Sequence, residues 1–149
     1  MFKSITDFFE QYLVSTPQDS STKEHTLELC AAVMMLEIAL ADSDFGDEEQ
    51  AVIETAMKHH FHLDDDEAKT LINLARTEVD HATSLHDFTR VINDALTAEE
   101  KTVIIELLWK VANADRVIDK YQEYFIRKIS DLLYVSHKDY IRAKHRGSE

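Results

Sequence analysis

Apolar residues along this chain recur at three- and four-residue spacings, the period of a helix with one face turned inward. Phe2, Ile5, Phe9 and Leu13 line one face of a first helix, which stops in the polar stretch STPQDSST. Thr22 is placed to cap a second helix reaching about Ala41, apolar almost all round, which predicts a central position in a bundle. A third helix starts at Asp47, with Val52, Ile53 and Ala56 inward. A fourth starts at Asp64, with Ala68, Leu71, Ile72 and Ala75 inward, and a fifth at Ser84, with Phe88, Val91, Ile92 and Ala95 inward. Thr97-Ala98-Glu99-Glu100 has the spacing of a capping box and opens a sixth helix, apolar from Val103 to Ala112. A seventh runs from about Asp119 to Tyr134, and Ser136 caps a basic eighth. No segment alternates with a period of two, so the expected fold class is all-α, a seven- to eight-helix bundle.

Displacing the chain against itself by 73 residues brings two halves into register. Ala41-Asp42 falls on Ala114-Asp115, Phe45 on Ile118, Val52-Ile53 on Phe125-Ile126, Ala56 on Ile129 and Phe61 on Tyr134. Upstream, Asp7-Phe8 falls on Asp87-Phe88 at a shift of 80. The expectation is a single domain over residues 1–149 built from two repeated halves, approximately 1–75 and 80–146.

Composition narrows the function classes. A length of 149 residues suits one domain, and 44% hydrophobic residues are too many for a disordered acidic tail. The formal charge of −13 repels phosphate backbones, so nucleic acid is not an expected partner. One cysteine makes no intramolecular disulfide, which fits a reducing, cytoplasmic compartment. Asp7 and Glu10 interrupt what a signal peptide would keep apolar, and Glu28 and Glu37 interrupt the longest apolar run, so no direct membrane insertion is expected.

The candidate chemistry lies in the acidic stretch Ala41-Asp-Ser-Asp-Phe-Gly-Asp-Glu-Glu49. Asp47, Glu48 and Glu49 suit a helix start, where the dipole favours negative charge. Asp42 and Asp44 sit instead near the end of the preceding helix, where negative charge is unfavourable. A hard divalent cation (Ca²⁺, Mg²⁺ or Mn²⁺) bridging Asp42, Asp44 and Glu49 removes that conflict. The stretch is not an EF-hand, because with Asp42 at position 1 the glycine falls at 5 and position 12 is Ile53. The second copy offers Asp115, Asp119 and Glu123, with Gln122 at the place of Glu49.

These paired Ala-Asp stretches, each set between a buried and an amphipathic helix, resemble the TerB-like family named for tellurite-resistance TerB. The first copy is Ala41-Asp42-Ser43 with Phe45 and Glu49, and the second is Ala114-Asp115-Arg116 with Ile118 and Gln122. Both lack the glycine that the family pattern carries after the Asp. The resemblance implies an all-helical bundle of two halves, divalent-metal binding at the acidic positions and an adaptor-like role. It further implies a link to stress responses and a membrane-associated protein partner.

Other groupings carry less. His59 and His62 are spaced to share Zn²⁺ with Asp64 or Asp66, though a helix C-terminus also favours histidine. Glu78-x-x-His81 is half of a di-iron pattern whose second half is absent from the sequence. Cys30 sits among apolar residues as an inert thiol, and Trp109 and Met34-Met35 read as core. No glycine-rich elbow or phosphate loop is present, so a non-enzymatic protein is expected, with a metal-assisted hydrolase as the weaker class. From Asp42 to Glu67 there are ten acidic residues and one lysine, whereas Lys138, Arg142, Lys144 and Arg146 make the last helix basic, with Tyr140 and Ile141 as candidate anchors. That split suits a metal-free protein–protein adaptor, or head-to-tail pairing into a homodimer.

Overall fold

Local capping decides where most of the helices begin. The computed structural model describes residues 4–17, 19–40, 47–77, 81–114 and 122–148, the side chains of residues 47, 49, 81–84 and 122 excepted. Helix α1 (Ile5–Ser15) starts at Ser4, whose Oγ accepts the Asp7 N–H at 3.1 Å. Helix α2 (Ser20–Leu40) is capped by Asp19 rather than Thr22, because Asp19 Oδ1 accepts the Thr22 N–H at 2.9 Å and the Ser21 hydroxyl at 3.2 Å. Those bonds, chiefly the Thr22 N–H, hold the Asp19 carboxyl below its usual range. Helix α3 spans Asp47–His60. Helix α4 (Asp65–Thr77) opens on a reciprocal box, Asp64 Oδ1 accepting the Glu67 N–H at 2.8 Å and Glu67 Oε1 accepting the Asp64 N–H at 3.0 Å. Helix α5 (His81–Ala95) begins three residues before Ser84. Helix α6 (Ala98–Ala114) opens on the expected box, with Thr97 and Glu100 exchanging bonds of 2.8 and 3.2 Å. Helix α7 spans Gln122–Leu132, and α8 (His137–Gly147) is capped by Ser136. Among the described residues there is no strand, and no helix is long and apolar enough to cross a membrane.

Helix α2, apolar nearly all round, takes the centre: every residue from Leu29 to Ile38 is buried. It packs against α6, whose Ile104, Ile105, Leu108 and Val111 are fully buried. Lys23 and Glu100, each in the first turn of its helix, approach within 3.7 Å. The two central helices therefore run in the same sense, and Leu40 and Ala114 lie toward the same end of the bundle. Helix α1 lies on α5, where the Phe9 and Phe88 rings are 4.7 Å apart, while α4 covers α2 and α3. Helices α7 and α8 lie on α6.

Four positions differ from expectation. Val52 is 55% exposed, because the buried stripe of α3 centres on Ile53, Ala56 and Met57 and leaves Val52 about 90° round the helix. Ala95 is exposed and Val91 half-buried, since the α5 stripe runs through Phe88, Thr89, Ile92 and on to Leu96. Tyr134 lies beyond the end of α7, with φ at 58° and 80% of its surface exposed, whereas Phe61, its expected counterpart, is fully buried.

Burial shows how the halves correspond. At a shift of 73, Ala31 and Ile104, Ala32 and Ile105, Met35 and Leu108, and Ile53 and Ile126 are buried in both halves. Beyond α7 the register becomes 72: Phe61 and Leu133, Ala68 and Tyr140, and Leu71 and Ala143 are buried pairs. His62 and Tyr134, also 72 apart, both have φ of 58°, marking the same left-handed corner before α4 and before α8.

Candidate functional site

The acidic positions after the central helices are only partly described. Asp42, Asp44, Asp115 and Asp119 lie outside the described residues. Glu49 is placed by its backbone in the first turn of α3, its side chain lying outside the described set. Glu123 is exposed in the first turn of α7, where its Oε1 accepts from the Lys144 ammonium of α8 at 3.1 Å. The Glu123 carboxylate is thus engaged by an ammonium from another helix. The first stretch supplies side-chain oxygens alone, five carboxylates and the Ser43 hydroxyl, the donor set of a hard cation. Among the described residues, no three His, Cys, Asp or Glu side chains converge on a point that a metal could occupy.

The histidines suggested for zinc point elsewhere. His59 and His60 pack edge to face, with ring centroids 4.7 Å apart. At the left-handed corner, His62 turns its Nδ1 to Glu28 Oε2 at 2.5 Å. Glu28 also takes His25 Nδ1 on Oε1 at 3.0 Å, and His25 Nε2 reaches Glu67 Oε2 at 2.9 Å. An unbroken string thus runs from the α3–α4 corner across α2 to the head of α4. Burial disfavours charge on the His25 ring, but the bonds from Glu67 and Glu28 outweigh it and raise the pKa above the ordinary 6.5. Sequence inspection overlooks this string because its members are 42 residues apart. The available signals were His25-x-x-Glu28 on one predicted helix and Asp64-x-x-Glu67 at the start of another.

Two further sites are less chemically equipped. An open groove of about 390 Å³ between α5 and the end of α7 is bordered by Asp87, Arg90, Asn93, Asp131 and Tyr134. Its groups are largely engaged: Arg90 pairs with Asp87 at 3.0 Å, and Asn93 Nδ2 donates to the Leu132 carbonyl at 3.0 Å. Cys30 is 2% exposed, and burial pushes its thiol far up, away from the nucleophilic thiolate.

Comparison with protein families settles the lineage. The family described as Tellurite resistance protein TerB matches residues 28–145, about four-fifths of the chain. The chain belongs to the TerB family. Comparison with curated proteins and with solved structures gives no match. The matched span takes in α3 to α7, both acidic stretches and both left-handed corners; α1 precedes it.

Proposed function

We propose that this TerB-family chain is a non-enzymatic interaction or sensor protein of a tellurite- or stress-type response, and that Asp42, Asp44 and Glu49 bind a divalent cation. The cation joins the end of α2 to the start of α3 and fixes the angle between them. The observation that carries this reading is the family match over a chain whose central helix α2 leads into a carboxylate-rich stretch. The like-directed α2 and α6 support it further, since both acidic stretches then follow helices ending on one side of the bundle. Thermal unfolding in EDTA, then with Ca²⁺, Mg²⁺, Mn²⁺ and Zn²⁺ separately, tests it. A cation at a hundred times its Kd adds about 2.7 kcal/mol, a shift of several degrees, which Asp42→Ala with Glu49→Ala should abolish. An unchanged shift in that variant sinks the site.

A metal-free adaptor is the second reading, and the outer face of α8 favours it. Lys138, Ile141, Arg142 and His145 are all exposed at helical spacing, a basic stripe with one apolar centre on an acidic protein. Capture of a partner that EDTA does not weaken, and that Ile141→Asp abolishes, would select this reading over the first.

A further inference from the structure

A neutral imidazole has one N–H and one lone pair, so it cannot donate from both nitrogens. His25 faces a carboxylate oxygen on each side, Glu28 Oε1 at 3.0 Å and Glu67 Oε2 at 2.9 Å. A neutral ring would set a lone pair against one of them, and only the imidazolium satisfies both. We propose that His25 is a proton-operated latch, which when charged clamps Glu28 of α2 to Glu67 at the head of α4 and when neutral releases the α3–α4 corner.

The groups around the ring fit that role. Its own helix supplies Glu28, and α4 supplies Glu67, whose other oxygen is fixed by the Asp64 N–H. The corner supplies His62, which takes the second Glu28 oxygen from outside. Toward α6, Glu100 is engaged by Lys23 at 3.7 Å. Two carboxylates on one ring outweigh the burial that opposes its charge, so the proton is held above pH 6.5.

The second half of the bundle makes the same tie without an imidazole. By the registers of the repeat, Lys101 stands where Glu28 does and Tyr134 where His62 does. The Lys101 ammonium lies over the Tyr134 ring, 5.9 Å from its centroid. Ala98 takes the place of His25, and Asp139, in the place of Glu67, pairs with Arg142 at 2.9 Å. A corner tied to a central helix is thus common to both halves, and imidazole rings hold only the first. This asymmetry provides an internal control.

The sign follows from a folded-state pKa above the unfolded one. The latch contributes fully below the unfolded value near 6.5 and is lost as pH rises through the raised folded value. Two measurements on the full chain test it: ring-proton NMR titration of His25, and amide exchange over residues 61–67 and 133–139 between pH 5.5 and 8.5. His25 should titrate above 6.5. Protection over 61–67, corrected for intrinsic rates, should fall by roughly threefold or more with rising pH, with 133–139 unaffected. His25→Asn should flatten the first response and leave the second. Glu67→Gln keeps the shape and should lower the His25 titration even where His25→Asn fails to fold. Titration at or below 6.5, equal responses of the two corners, or a His25 titration unmoved by Glu67→Gln would each overturn the latch.

Discussion

Gly147, in the last turn of α8, rests against Trp109 of α6 so closely that a Cβ on the glycine would stand 2.4 Å from the tryptophan Cβ. The same added atom would lie 3.1 Å from both the Glu106 carbonyl oxygen and the Lys110 nitrogen. Backbone on one side leaves little room to yield, so α8 docks there only because the residue has no side chain. Asn113 of α6 completes the seam, its Nδ2 donating to the Gly147 carbonyl at 3.1 Å.

Gly147→Ala is therefore expected to destabilise the protein by about 1–3 kcal/mol through overpacking, despite alanine's better helix propensity. Urea unfolding gives the value. A gain in stability would mean that α8 does not pack as described.

Beneath α8, the Trp109 Nε1 and the Tyr140 hydroxyl are buried without hydrogen-bond partners among the described residues. Burial also pushes the Tyr140 phenol up, as does nearby Glu123. Tyr140→Phe removes an unsatisfied hydroxyl and keeps the ring, so stability should hold or rise by up to about 1 kcal/mol. A loss larger than that in chemical denaturation would reveal an unrecognised partner for the oxygen.

Neighbouring positions on α3 should separate cleanly. Val52→Asp changes an exposed residue and should alter stability by no more than about 0.5 kcal/mol. Ile53→Asp places a carboxylate where the side chain is 3% exposed, and should prevent cooperative unfolding or lower stability by several kcal/mol. Similar behaviour of the two variants would mean that the α3 stripe is misplaced.

Caps whose side chain alone is changed give a graded test. Thr97→Ala should cost about 1 kcal/mol, with Glu100 losing its partner at the head of α6. Asp64→Ala should cost as much by removing the acceptor of the Glu67 N–H and, by fraying the turn that carries Glu67, weaken its contact with His25. That extra loss should appear below pH 6.5 and vanish in a His25→Asn background, which a double-mutant cycle measures.

The helices, their order and most of their inward faces were legible because a 3.6-residue period and capping residues are local signals. Thr97 with Glu100, and Ser136 before α8, required no tertiary information. Val52 and Ala95 were misjudged because each flanks a buried residue, and only packing against a second helix decides which side of a stripe turns inward. The single register of 73 failed at Tyr134 because one residue is lost near the end of α7, where exposure tolerates it. Of the candidate cation residues, Glu123 has a described side chain, and its lysine partner comes from 21 residues away. The His25–Glu28–Glu67–His62 string was hidden for the same reason: its chemistry arises from three segments meeting in space.

The placement of Trp109 has an experimental consequence. It is the sole tryptophan of the chain and sits at the seam between α6 and α8, with the Tyr140 ring 6.2 Å away and the Lys144 ammonium 5.1 Å from its centroid. Its emission therefore reports the docking of one helix rather than the state of the whole bundle. If α8 leaves before the rest unfolds, fluorescence and far-ultraviolet dichroism will trace different denaturation curves, and their separation will give the free energy of that single joint.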